Sequence, residues 1–146
     1  MRILHSMSIM FIASFIIQYF LMPPIMVDSY SNITNSIGKT YMATIMALSM
    51  VIIEVMMHDH QYSVLSSNTY IVTGIFIGIF IYLYRKQIAI NDKQYLEGMI
   101  EHHSMALLTS EEIIKKTDDY NIAKLAKNII QTQTDEIREM KDLLKK

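Results

Sequence analysis

Three long apolar stretches, separated by short polar ones and followed by a charged tail, restrict this chain more than any other feature. Ile3 to Met22 is apolar apart from His5, Ser6, Ser8, Ser14 and Gln18; Tyr41 to Met57 holds one carboxylate, Glu54; Tyr62 to Tyr84 holds no Asp, Glu, Lys, Arg or His. A hydrocarbon layer of ~30 Å takes about 20 helical residues to cross, and inside it every backbone polar group has to be satisfied within the structure. The expected fold is therefore all-α, with transmembrane helices at about 3–22, 41–57 and 62–84. Pro23-Pro24 is expected to stop the first. A cleaved leader would have a shorter apolar core and a small-x-small site after it. Neither is present, so the first span is expected to stay.

Most charged residues follow Tyr84, which divides the chain into a three-span membrane domain, 1–86, and a soluble helical domain, 88–146. A net charge of −1 gives no basic field for nucleic acid. With no cysteine, neither disulfides nor thiolate zinc sites can form. Three crossings put Lys39, Arg85 and Lys86 on the side of the C-terminal domain, against Arg2 on the other, so the positive-inside rule places that domain in the cytoplasm.

Within the spans two patterns stand out. Met42, Met46, Met50, Glu54 and His58 recur every four residues and form one helical stripe, expected to face protein or water because it carries a carboxylate. Gly74 and Gly78, also four apart, are expected to let two helices approach closely. His58-Asp59-His60-Gln61 reads as the turn between the second and third spans. Ile25 to Lys39 reads as a loop, with Asn32-Ile33-Thr34 an unused match to the glycosylation pattern.

In the soluble part, Asn91 with Gln94 has capping-box spacing and opens a helix that should reach about Lys116. Thr117-Asp118-Asp119 breaks it, and a second helix runs from Tyr120 with the stripe Ile122, Leu125, Ala126, Ile129, Ile130, Gln133, Ile137, Met140 and Leu144. Folded as an antiparallel helical hairpin, these helices should pair positions whose numbers sum to about 235. His102 and His103 then meet Gln133, Met99 meets Glu136, and Tyr95 meets Met140. Leu96, Ile100, Leu107 and Leu108 are left outside that pairing, which points to a homo-oligomer, a dimer through the hairpin domain.

Met99, His102, His103 and Ala106 share one face of the first of these helices, with Met105 at its edge. Thioether and imidazole without thiolate suit a soft monovalent ion such as Cu(I) better than zinc or magnesium. The plainer alternative is a pair of hydrogen-bonded core histidines beside gap-filling methionines. No Glu-x-x-His occurs, so the residues do not fit a di-iron bundle, and no nucleophile and base stand at a readable spacing. The chain is not expected to be an enzyme.

The run Met99-Ile100-x-His102-His103 with Ala106, followed by Ala126-x-x-Ile129-Ile130-x-x-Gln133-x-x-Glu136-Ile137-x-x-Met140, resembles the domain of unknown function 305 family. The resemblance covers roughly Asp92 to Leu144, and with Tyr41-Met42-x-x-x-Met46 it extends to a three-span subgroup over nearly the whole chain. It implies a ferritin-like helical fold and, as in some exported members, copper held by methionine and histidine. Glu101 stands where the family usually has proline, and Thr109 where it commonly has methionine. The implied function is a membrane-anchored copper-binding or homeostasis protein. Its ligands would be Met99, His102, His103, Met105, Glu136 and Met140, with Met42, Met46, Met50, Glu54 and His58 as secondary candidates, and a copper donor or acceptor protein as partner. The alternatives are a membrane interaction module with a structural histidine pair, and a small copper transporter.

Overall fold

The fold is all-α, described for residues 2–145 of a computed structural model, with no strand among the described residues. Six helices follow in order: α1 Arg2–Ile16, α2 Met22–Met26, α3 Ile37–Tyr62, α4 Ser67–Arg85, α5 Asp92–Ile114 and α6 Tyr120–Leu143. A π turn, Ile17–Leu21, joins α1 to α2, and a 3-10 turn, Tyr30–Asn32, precedes α3. Three helical stretches are long and apolar enough to cross a membrane: Ile3–Met26, Ile37–Tyr62 and Ser67–Arg85.

Two span boundaries differ from the sequence expectation. Pro23 and Pro24 do not stop the first stretch; the helix passes through them to Met26. A proline ring clashes with the carbonyl four residues back, and it lacks an N–H to give. The wider π turn just before the prolines interrupts the regular i to i−4 pairing, and both fall in the first turn of α2, where N–H groups lack helical partners anyway. Likewise, His58 to Gln61 is not a turn but the end of α3. The reversal comes at Ser63, which takes φ 51° while Val64 N–H returns to Asp59 O at 3.1 Å, the closure of a left-handed helix end. Asp59 then fastens the start of α4, accepting from Ser66 N at 2.6 Å and Ser66 Oγ at 2.7 Å.

The chain forms two compact units. One consists of residues 1–21 and 38–89, the other of 22–37 and 90–146. In the first, the buried face of α3 is Ala43, Ala47, Val51, Val55 and Asp59. Ser6 of α1 donates to Glu54 of α3, and Tyr41 of α3 stacks obliquely on Phe80 of α4 at 6.0 Å while its hydroxyl donates to Ile88 O. In the second, α5 and α6 pack through Ile100, Leu107, Ile137 and Met140. Asn91 caps α5 by accepting from Gln94 N at 3.0 Å, and Asp119 caps α6 by accepting from Asn121 N and Ile122 N. The Gln94 side chain does not complete a capping box: it accepts from Ile37 N and donates to Glu97.

Candidate functional site

Residues 22–37 are not a free loop. They form a strap bound to the helix pair by a buried polar network, and small or polar residues on α5 make room for it. Ser104, fully buried, donates to Asp28 Oδ1 and accepts from Asp28 N at 3.1 Å. Asn32 donates to Asp28 Oδ1 at 2.8 Å and accepts from Lys141 of α6. One turn earlier on α5, Glu101 accepts from Thr34 N at 3.0 Å, and Thr34 Oγ1 donates to Glu97 O at 2.6 Å. Gly98 keeps α5 bare where Ser36 comes close. Asn32 is 4% exposed with its amide engaged, so the folded chain does not present this side chain to solvent.

On the α6-facing side of α5 lies His103. Its Nδ1 is 3.0 Å from Glu136 Oε2, yet buried and without an aligned hydrogen bond. Glu136 also accepts from Gln133 Nε2 at 3.2 Å. Met140 is buried in the core cluster, and Met99 packs against it. Thus His103, Glu136, Met99 and Met140 belong to one helix interface. His103 was expected to meet Gln133 and reaches Glu136 instead, nearly one turn along. Helical side chains lean toward the N-terminus of their own helix, so tips meet between residues whose backbones are not level.

The other expected ligands are placed differently. His102 is exposed, its ring centroid 6.0 Å from that of His103. Met105 follows His103 by two residues, about 200° round the helix, and projects to the opposite side. Among the described residues, no three His, Asp or Glu side chains gather closely enough to hold a metal ion.

The methionine stripe of α3 is divided between exposed and half-buried positions. Met42 and Met46 are 41% and 44% exposed within the chain, whereas the neighbouring stripe of Ala43, Ala47, Val51 and Val55 is buried. Small and β-branched residues pack closely, while flexible methionine costs more to order. Met50, Glu54 and His58 are half-buried, with Glu54 held by Ser6 and His58 lying 3.3 Å from Asp59. Among the described residues of one chain, Gly74 and Gly78 make no close helix contact: a methyl group at either would meet nothing within 4 Å.

Residues 78–144 match the family described as Domain of unknown function (DUF305). The chain is also 36% identical over 137 residues to "Uncharacterized protein L153" of Acanthamoeba polyphaga mimivirus, an alignment covering 93% of this chain and 89% of that one. The chain belongs to the DUF305 family. No solved structure matches it. The two departures from the usual DUF305 pattern acquire a local explanation: Glu101, in place of proline, holds the strap through Thr34, and the Thr109 hydroxyl bonds back to Met105 O and Ala106 O. Sequence reasoning gave Asp28, Asn32, Ser104 and Lys141 no part in a shared network. The signal was faint: Ser104, with Glu101, at helix-interior positions that an apolar stripe would have filled.

Proposed function

We propose that this DUF305 protein is a membrane-anchored copper-binding protein, whose soluble unit is an antiparallel helical hairpin of ferritin-like character serving copper homeostasis or handover to a partner protein. The observation that carries the reading is the buried His103 Nδ1, lacking an aligned partner, on an interface that also holds Met99, Met140 and Glu136. A buried polar atom left unpaired costs about 1–3 kcal/mol, which a ligand or a proton would offset. The donor set is one imidazole, two thioethers and one carboxylate, with no second histidine turned inward. Zinc and iron sites want several imidazoles or carboxylates; Cu(I) accepts few, soft donors. His103 would be the central ligand through Nδ1, with Glu136 Oε2 beside the same nitrogen and Met99 and Met140 as thioether neighbours. His102, Met105 and the α3 stripe are left as secondary.

The contacts within the second unit support multi-pass insertion. The strap and residues 90–146 touch one another, so an even number of crossings separates them, as α3 and α4 together provide. The N-terminus would then lie opposite the hairpin, and the positive-inside count favours a cytoplasmic hairpin.

The test is anaerobic Cu(I) titration of the full-length protein in detergent against a competing chelator. One ion per chain is expected, lost in His103→Ala and weakened at least tenfold in Met140→Leu, with His102→Ala much milder. If the wild type retains no more copper than His103→Ala, the proposal fails and His103 is a structural partner of Glu136.

A further inference from the structure

The strap leaves the helix pair closed on one side and open on the other. The strap contacts α5 through Glu97, Glu101 and Ser104, and α6 through Lys141. On the opposite side of the seam, α6 presents Ile122, Ile129, Glu136 and Leu143, spaced seven apart and so on one helical face. Ile122 is 47% and Leu143 44% exposed. Across the seam α5 presents Tyr95, His102 and Ile113, with Tyr95 53% exposed. Sequence reasoning put the uncovered apolar surface at Leu96, Ile100, Leu107 and Leu108, but Ile100 and Leu107 are buried against α6, Leu96 packs against them and Leu108 is half-buried. The surface without a partner is this face instead.

We propose that the open face of α5 and α6 packs on the same face of a second copy of this chain, with the twofold axis passing near the layer of His102 and Glu136. The pattern along the face is apolar at the end holding Tyr95 and Leu143, polar in the middle, and apolar again at Ile113 and Ile122. Such a sequence of layers is complementary to itself: a twofold axis through the middle lays polar on polar and apolar on apolar. The middle layer is also complementary in chemistry, since an imidazole N–H on one copy can donate to the Glu136 carboxylate of the other, which is about half exposed in the single chain. Lipid fits less well, because it would take that carboxylate out of water and bring no donor of its own.

The area agrees. From Ile122 to Leu143 an α-helix rises about 32 Å, and two helices side by side are about 20 Å wide, giving about 600 Å² per copy. The total of about 1,200 Å² is at the lower bound of stable specific interfaces. The contact is therefore a reversible one, tuned by few residues. The proposal stands apart from copper, since none of its contacts requires the metal.

The chain contains no cysteine, so single cysteines report contacts without a background. In full-length protein in mild detergent, His102→Cys, in the layer of the axis, should form covalent dimers under gentle oxidation, while Ile129→Cys, about 21 Å along the helix from its twin, and Arg138→Cys, which is exposed but away from the open face, should not. Ile122→Lys should weaken the dimer at least tenfold in sedimentation, with far-UV helix signal unchanged. A monomer at every concentration overturns the proposal. So does equal cross-linking at Arg138→Cys, or a dimer indifferent to Ile122→Lys, which would move the contact to the spans or to lipid.

Discussion

The buried stripe of α3 and the buried stripe of α5 are built from opposite materials. In α3 it is Ala43, Thr44, Ala47, Val51 and Val55, apolar but for Thr44, whose hydroxyl turns back onto Thr40 O, until Asp59 at its end; in α5, Ser104 and Glu101 are buried beside Ile100 and Leu107. Each composition answers to what the rest of the helix meets. In a helix apolar enough to cross a membrane, lipid would take any apolar side chain as readily as a neighbouring helix would, so burial would select for small size and close fit and send the larger methionines outward. In the second unit the strap brings a peptide backbone onto α5, and exposed N–H groups need acceptors. Glu101 and Ser104 supply them. Buried polarity in α5 therefore follows from having a backbone, rather than a helix face, as its cover.

Breaking the strap network tests this most severely. Ser104→Val removes the buried hydroxyl that donates to the Asp28 carboxylate and accepts from its N–H, leaving Asn32 as the donor to that oxygen; a loss of about 2 kcal/mol of stability is expected, with early proteolysis within residues 22–37. A loss under about 0.5 kcal/mol would return the strap to an ordinary loop. The contrast within α3 comes next: Ala47→Leu overfills a position with no exposure and should cost about 1–3 kcal/mol, while Met46→Leu beside it should stay within about 0.5 kcal/mol. Equal effects at the two positions would erase the distinction between the buried stripe and the methionine stripe.

Smaller still is Gly78→Ala, where open space around the Cβ leaves only backbone entropy to act; a gain of about 0.5–1 kcal/mol is expected from thermal unfolding in detergent, and a loss would reveal a close neighbour. The smallest effect lies on the surface of α5. The Lys115 ammonium hydrogen-bonds Glu112 and holds its carboxyl below the usual carboxylate value, and Glu112 in turn raises Lys115. The carboxylate contribution is present above its unfolded value and lost as pH falls through the lowered folded one; the ammonium contribution is present below its unfolded value and lost as pH rises through the raised one. Glu112→Gln should therefore change the pH dependence of stability slightly, at its acid and alkaline ends, and leave it flat near neutrality. A large shift at neutral pH would mean that Glu112 has a partner elsewhere.

Hydropathy by itself determined the helical class, the three long apolar stretches and the two caps at Asn91 and Asp119, because these depend on properties local to a dozen or two residues. It also singled out His103, Met99, Glu136 and Met140 as residues that would share an interface, since helical periodicity fixes which side chains can look across a seam. Periodicity could not choose between two stripes one residue apart: the Met42 and Ala43 series repeat equally well, and only packing selects the smaller side chains for the inside. Nor could it bring Asp28 and Asn32 to Ser104 and Lys141, residues separated by 76 and 109 positions. A contact of that range leaves no period in the chain. It exists because the connection between two long apolar helices returns to cover one side of a distant helix pair, and that cover is decided only when the whole unit folds.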